Sequence, residues 1–239
     1  EVNKLVLVIN LPYYIYFLWL AEFYPYSINI SRIKKYFLKK IKILTLISIL
    51  GNINYMALTK TPICSFDEEA IDFELLGVDG KMWALADCEG DNGTLVMFIC
   101  NHCPYVKAIQ TELIEDVLKL MEAGIKSVAI MSNDTRDYPE DSFENMKKIS
   151  DKYNFPFPYL FDKTQKIAKT YNAVCTPDFF GYNKSLKLQY RGRFDASGMS
   201  PKKNDTRHDL LEAMLQIAKT SKGPQEQFPS IGCSIKWKI

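Results

Sequence analysis

The stretch Thr94-Leu-Val-Met-Phe-Ile-Cys-Asn-His-Cys-Pro-Tyr-Val-Lys107 decides the fold. Thr94 to Ile99 form a continuous apolar run after the turn-like Gly90-Asp-Asn-Gly93, which suits a strand buried on both faces of a sheet. Beyond it, Val106, Ile109, Leu113, Val117 and Leu120 recur every three or four residues, one face of a helix, and Gly124 is a natural C-terminal stop. Working outward, Ile125 to Met131 reads as a second buried strand. Asp141-x-x-Glu144 opens a helix with Phe143, Met146, Ile149 and Tyr153 turned inward, and Asp162-x-x-Gln165 opens a short one carrying Ile167 and Tyr171. Asp178–Tyr182 and Leu186–Tyr190 flank Asn183-Lys-Ser185, a hairpin signal. Thr206-x-x-Asp209 caps a last helix with Leu210, Leu211, Met214, Leu215 and Ala218. An early strand–helix–strand crossing followed by a hairpin predicts an α/β fold with a central mixed sheet and helices on both faces. Residues 223–239 have few pattern signals and read as a C-terminal tail behind a domain at 56–222.

The chemistry concentrates where the first strand hands over to the first long helix. Cys103 falls at that join, where free N–H groups and a partial positive charge favour thiolate over thiol. Pro104 suits the first helical position, since its missing N–H is harmless there. A protonated His102 next door would favour thiolate further. Cys100 makes a Cys-x-x-Cys with Cys103, a spacing that permits a redox pair or half a metal site. The second half of a zinc site is missing, and the other histidine, His208, reads as a solvated residue of the last helix. A redox role is therefore favoured, and neither a metal nor another cofactor is expected; glycine-rich phosphate loops and flavin motifs are absent.

The chain has 239 residues, 47% hydrophobic and 24% charged, which excludes a disordered tail protein and a disulfide-stapled miniature. Net charge is +2, so neither nucleic acid nor acidic membrane is implied as a partner. The charge is unevenly spread. Residues 1–55 hold seven basic and two acidic groups, and forty of these 55 positions are Ile, Leu, Lys, Asn, Tyr or Phe. The first Met is Met56. Three expectations stand side by side for this leader: translation upstream of a start at Met56, a signal or membrane segment, or a helical pair. Leu5 to Ala21 is uncharged and at the short limit for a span, and Lys39–Lys42 before Ile43–Leu50 resembles the charged and apolar regions of a signal peptide. Localisation follows the choice: cytoplasmic without a functional leader, periplasmic or extracytoplasmic with one, and contact with a membrane only in the latter case.

From about Ala70 to Ile217 the chain resembles the thioredoxin-like superfamily in its redoxin branch, which contains the alkyl hydroperoxide reductase/thiol-specific antioxidant (AhpC/TSA) proteins. The resemblance rests on Phe98-Ile-Cys-Asn-His-Cys-Pro-Tyr-Val-Lys-Ala108, Tyr138-Pro-Glu-Asp-Ser142, Pro156-Phe-Pro-Tyr-Leu-Phe-Asp162, Cys175-Thr-Pro-Asp-Phe-Phe180, Tyr190-Arg-Gly-Arg193 and Gly232-Cys-Ser-Ile-Lys-Trp-Lys238. It is similar to bacterial thioredoxin-family proteins described as peroxiredoxin-like or thiol-disulfide isomerases, which begin with Met-Ala-Leu-Thr, here Met56–Thr59. The resemblance implies that Cys103 is the nucleophile and that Thr176-Pro177 is the cis-proline loop facing it and offering backbone groups to substrate. Two departures stand out. Thioredoxin's second cysteine is replaced by Val106, and the peroxiredoxin Pro-x3-Thr-x2-Cys becomes Val96, Cys100 and Cys103. Arg193 or Arg191 could stand in for the arginine that assists peroxidases.

The reading these residues support is thiol–disulfide exchange at Cys103 on a disulfide-bearing protein or small molecule, with a thioredoxin- or glutathione-type thiol as reductant and a part in redox homeostasis. Cys100 is the first choice of resolving thiol on spacing; Cys175 and Cys233 are alternatives, and Cys64 and Cys88 are incidental. Competing expectations are a thiol peroxidase forming a sulfenate on Cys103, a copper or zinc carrier using Cys100, Cys103 and His102, and a non-catalytic module of the same fold.

Overall fold

The apolar run becomes β4 (Gly93–Phe98), all six residues buried, in a computed structural model that describes residues 58–200 and 206–238. Expectations for the leader lie outside the described residues, and among those described no helix is long and apolar enough to cross a membrane. The described elements are β1 (Leu58–Lys60), β2 (Glu74–Gly77), β3 (Met82–Ala84), β4, α1 (Pro104–Glu122), β5 (Ile125–Met131), α2 (Phe143–Tyr153), β6 (Tyr159–Phe161), α3 (Lys166–Thr170), β7 (Cys175–Thr176), β8 (Asp178–Asn183), β9 (Leu188–Gly192), α4 (Asp209–Thr220) and β10 (Ile231–Ser234).

Seven strands form one mixed sheet in the order β3-β2-β6-β5-β4-β8-β9. β4 runs parallel to β5 and antiparallel to β8, and β5 runs parallel to β6. Period-two alternation sends Leu95 and Met97 into a core shared with α1, α2 and α4, through Leu113, Met146 and Met214. Val96 and Phe98 face the opposite core with Ala168 and Tyr171 from α3 and its end. Helices thus cover both faces, as expected. Gly124, at φ +75°, makes the left-handed turn that ends α1 and lets the chain enter β5.

Local signals fail for the three- and four-residue strands, which are too short to show an alternation. β6, inserted between β5 and β2, is one of these. β10 is another. Residues 223–239 belong to the compact unit Met56–Ile239, and β10 is the middle strand of a second sheet, β1-β10-β7. Its pairings set Cys233 opposite Thr176 on one side and opposite Leu58 on the other.

Candidate active site

Cys103 is the N-cap of α1, in extended conformation, with Pro104 in the first turn and Lys107 N–H donating to the Cys103 carbonyl at 3.0 Å. The helix starts there because Pro104 supplies a helical φ without needing a hydrogen-bond partner. The sulfur lies 3.1 Å from the Thr176 carbonyl oxygen and 3.0 Å from Cys233 Sγ. The Thr176–Pro177 peptide is cis, and the loop faces the cysteine as the resemblance implied.

Two opposing influences act on this sulfur. Burial and the nearby Thr176 carbonyl favour the protonated form. Against them stand hydrogen bonds from the thiols of Cys100 and Cys233 and from the backbone N–H groups of Val106 and Cys233. The donors win, and Cys103 is held well below the ordinary thiol range. Val106, where thioredoxin has its second cysteine, serves through its amide, one of the free N–H groups of the first helical turn.

The neighbouring thiols move the other way. Cys100 is raised, chiefly by burial, then by donating to Cys103 and by the negative charge of Asp141. Its sulfur also sits 3.3 Å from Thr176 Oγ1 and 3.7 Å from His102 Nδ1, so it faces the site rather than the far core. Cys233 is raised first because its proton is the one shared with Cys103, then by burial.

Asp141 is the residue that sequence reasoning missed. It was expected to cap α2, but Ser142 does so by accepting from Asn145 N–H. Asp141 instead turns inward, fully buried. One carboxylate oxygen accepts the backbone N–H groups of Asn101 at 2.8 Å and His102 at 3.1 Å. The other meets His102 Nδ1 at 2.5 Å and accepts Asn133 Nδ2 at 2.8 Å. It therefore clamps the Cys100–Cys103 turn. Asn133 carries the network on by accepting Lys236 N–H at 2.8 Å, just beyond β10. Asp before a helix is an ordinary capping pattern, so nothing local could have signalled this role.

His102 is directed at Asp141 and Cys100, its ring stacked on Tyr138 with centroids 4.8 Å apart. Cys100 Sγ, a His102 ring nitrogen and an Asp141 oxygen lie within 4.8 Å of one another, close enough to suggest a metal set. Asp141 already receives four donors, however, so its carboxylate is satisfied within a hydrogen-bonded clamp, while the other ring nitrogen of His102, Nε2, is buried without a hydrogen-bond partner.

The remaining candidates divide. Cys175 Sγ lies against the Pro177 carbonyl at 3.5 Å, and burial raises its pKa. Arg191 is withdrawn from the site, in a buried pair with Asp178 at 3.0 Å. Arg193 lines a cavity of about 110 Å³ with Tyr105, Ile109, Pro177, Phe194 and Ile231, at the start of α1. Its guanidinium is engaged there by Asp209 at 2.7 Å and lies over the Phe228 ring. His208 is no merely solvated side chain: its Nδ1 is 2.9 Å from the buried Asp116 carboxylate, against α1.

A mixed sheet covered on both faces, with a cysteine at a helix start opposite a Thr-Pro loop, defines a redoxin of the thioredoxin-like class. The AhpC/TSA family model matches residues 66–194, more than half of the chain. The chain belongs to the AhpC/TSA family. Among solved structures it is similar to an uncharacterized conserved protein from Geobacillus kaustophilus, with 43% identity over 76% of this chain and 96% of that one and a TM-score of 0.72. It is also similar to a hypothetical protein from Sinorhizobium meliloti, with 36% identity over 76% of this chain and 99% of that one and the same TM-score. No curated protein matches the chain.

Proposed function

We propose that the protein is a thiol–disulfide oxidoreductase whose working pair is Cys103 and Cys233. The observation that carries this reading is the 3.0 Å approach of the two sulfurs at the start of α1. Cys103 thiolate attacks a substrate disulfide, RSSR. The RS–SR bond breaks, Cys103–SR forms and RS⁻ leaves. Cys233 then attacks Cys103 Sγ, forms the Cys103–Cys233 disulfide and expels the second RS⁻. Its proton and one from solvent convert the two leaving groups to thiols. RSSR has been reduced by two electrons and the cysteine pair oxidised by two, and an external thiol reductant restores the pair.

The choice of Cys233 over Cys100 follows from what holds each proton in place. The first influence on Cys233 is the Cys103 thiolate itself, which disappears once Cys103 is tied up as a mixed disulfide, while Lys236 continues to favour ionisation. The first influence on Cys100 is burial, which persists. Cys233 is thus the thiol released by the first chemical step.

The test is oxidation of the reduced full chain with one equivalent of oxidised glutathione, followed by peptide mass mapping. A Cys103–Cys233 linkage with loss of two thiols is the expected result; a Cys100–Cys103 linkage, or no linkage involving Cys103, sinks the reading. A parallel arm with hydrogen peroxide reads the peroxidase alternative, in which Cys103 passes through a sulfenate. Consumption of peroxide much faster than of glutathione disulfide would favour that alternative.

A further inference from the structure

An extended peptide can bind a protein by adding a strand to an open sheet edge. The edge of β7 beside Cys103 is where a disulfide-bearing chain would have to lie to present its sulfur to the nucleophile. That edge is taken. β10 pairs antiparallel with β7, setting Cys233 opposite Thr176 and Ser234 opposite Cys175. β1 closes the far side of β10, with Thr59 opposite Gly232.

Several side chains fit this strand to the loop. A Cβ at Gly232 would fall 2.1 Å from the Thr176 carbonyl oxygen, so only glycine permits the approach. Buried Ser230 donates to the Pro177 carbonyl at 2.7 Å. Ile235 N–H donates to the Val174 carbonyl at 3.2 Å. Cys103 is left with no exposed surface and Cys233 with 2%. A cavity of about 110 Å³ walled by Tyr105, Pro177 and Ile231 lies beside the cis-proline loop, though neither cysteine lines it.

Resting on the thiol-exchange reading, we propose that β10 is a pseudosubstrate strand built into the chain. It occupies the place a protein disulfide would need and confines the substrate of Cys103 to low-molecular-weight disulfides. Gly232 and Ser230 are positioning residues that keep it there.

The experiment measures single-turnover rates of the reduced full chain with bis(2-hydroxyethyl) disulfide and with insulin, each divided by the rate for free dithiothreitol. The wild type is expected to favour the small disulfide by at least about tenfold, a preference of ~1.4 kcal/mol. Gly232→Ala is expected to shrink that ratio by increasing the insulin rate, and Ser230→Ala to shrink it less. Circular dichroism checks that both variants fold, and the milder Ser230→Ala carries the test should Gly232→Ala not fold. A wild type with no preference, or a ratio unchanged in the folded variants, overturns the pseudosubstrate role. Cys103→Ser separates the two readings: retention of wild-type rates on the small disulfide would overturn thiol exchange itself, whatever the ratio does.

Discussion

Cys103 and Cys175 are equally buried, each with no exposed surface, yet their thiols are driven in opposite directions. Cys175 sits in a strand against a carbonyl oxygen, and desolvation raises it. Cys103 sits at a helix start among two thiol donors and two backbone N–H groups, which lower it. Cys88 and Cys64 repeat the Cys175 pattern, pushed up by burial to about 12 and about 11. Burial by itself makes an inert thiol; burial combined with donors aimed at the sulfur makes a nucleophile.

The strongest way to break this contrast is to exchange the two sulfurs' fates by mutation. Cys103→Ser is expected to lower the rate of glutathione disulfide reduction by roughly a thousandfold or more, because it removes the atom that attacks in the proposed exchange. Cys175→Ser should leave that rate within about twofold, since the proposed exchange does not use its sulfur. Stopped-flow measurement of thiol release checks both, and comparable losses would erase the distinction.

Cys233→Ser should come next, with turnover down by roughly ten- to a hundredfold, because an external thiol must replace one already in place. Intact mass spectrometry should then show glutathione retained on Cys103. Asp141→Ala probes the clamp that holds the turn. It strands the buried N–H groups of Asn101 and His102 and should cost roughly 1–3 kcal/mol for each group left unpaired, read by urea unfolding.

The smallest expected effect is a pH dependence. A depressed folded pKa means that the unfolded chain binds the Cys103 proton more tightly, so ionisation of Cys103 adds stability as pH rises. That contribution is complete above the unfolded thiol value of about 8.5 and is lost as pH falls through the folded value. Cys100, Cys175 and Cys233 are raised, so their contribution is complete below about 8.5 and declines above it. The stability gap between reduced wild type and Cys103→Ser should therefore widen from acid pH toward about 8.5. A gap independent of pH in urea titrations would mean that Cys103 is not ionised.

How much of this was legible depends on how far apart the interacting residues are. β4, α1 and the Cys103–Pro104 join could be read because each is written in consecutive residues. Thr176 was reachable through its Pro177 neighbour and the family resemblance. Asp141 was not, since its partners lie at Asn101, His102 and Asn133, and an aspartate before a helix has an adequate local explanation as a cap. Cys233 was visible as a cysteine but not as the nearest sulfur, because a four-residue strand has no period to reveal its register. Arg191 misled for the converse reason: a charged strand end reads as solvated or catalytic, whereas the fold buries it against Asp178, whose carboxyl is raised to about 6 mainly by burial.

The two sulfurs that meet at the helix start are 130 residues apart in the chain. Joining them would enclose most of the domain in a single covalent ring and would limit how far its denatured state could expand. In the chain-entropy account, a loop of that length is worth up to about 5 kcal/mol. The oxidised protein should accordingly melt at a higher temperature than the reduced one, so that each turn of the proposed cycle would alternately raise and lower the stability of the whole domain.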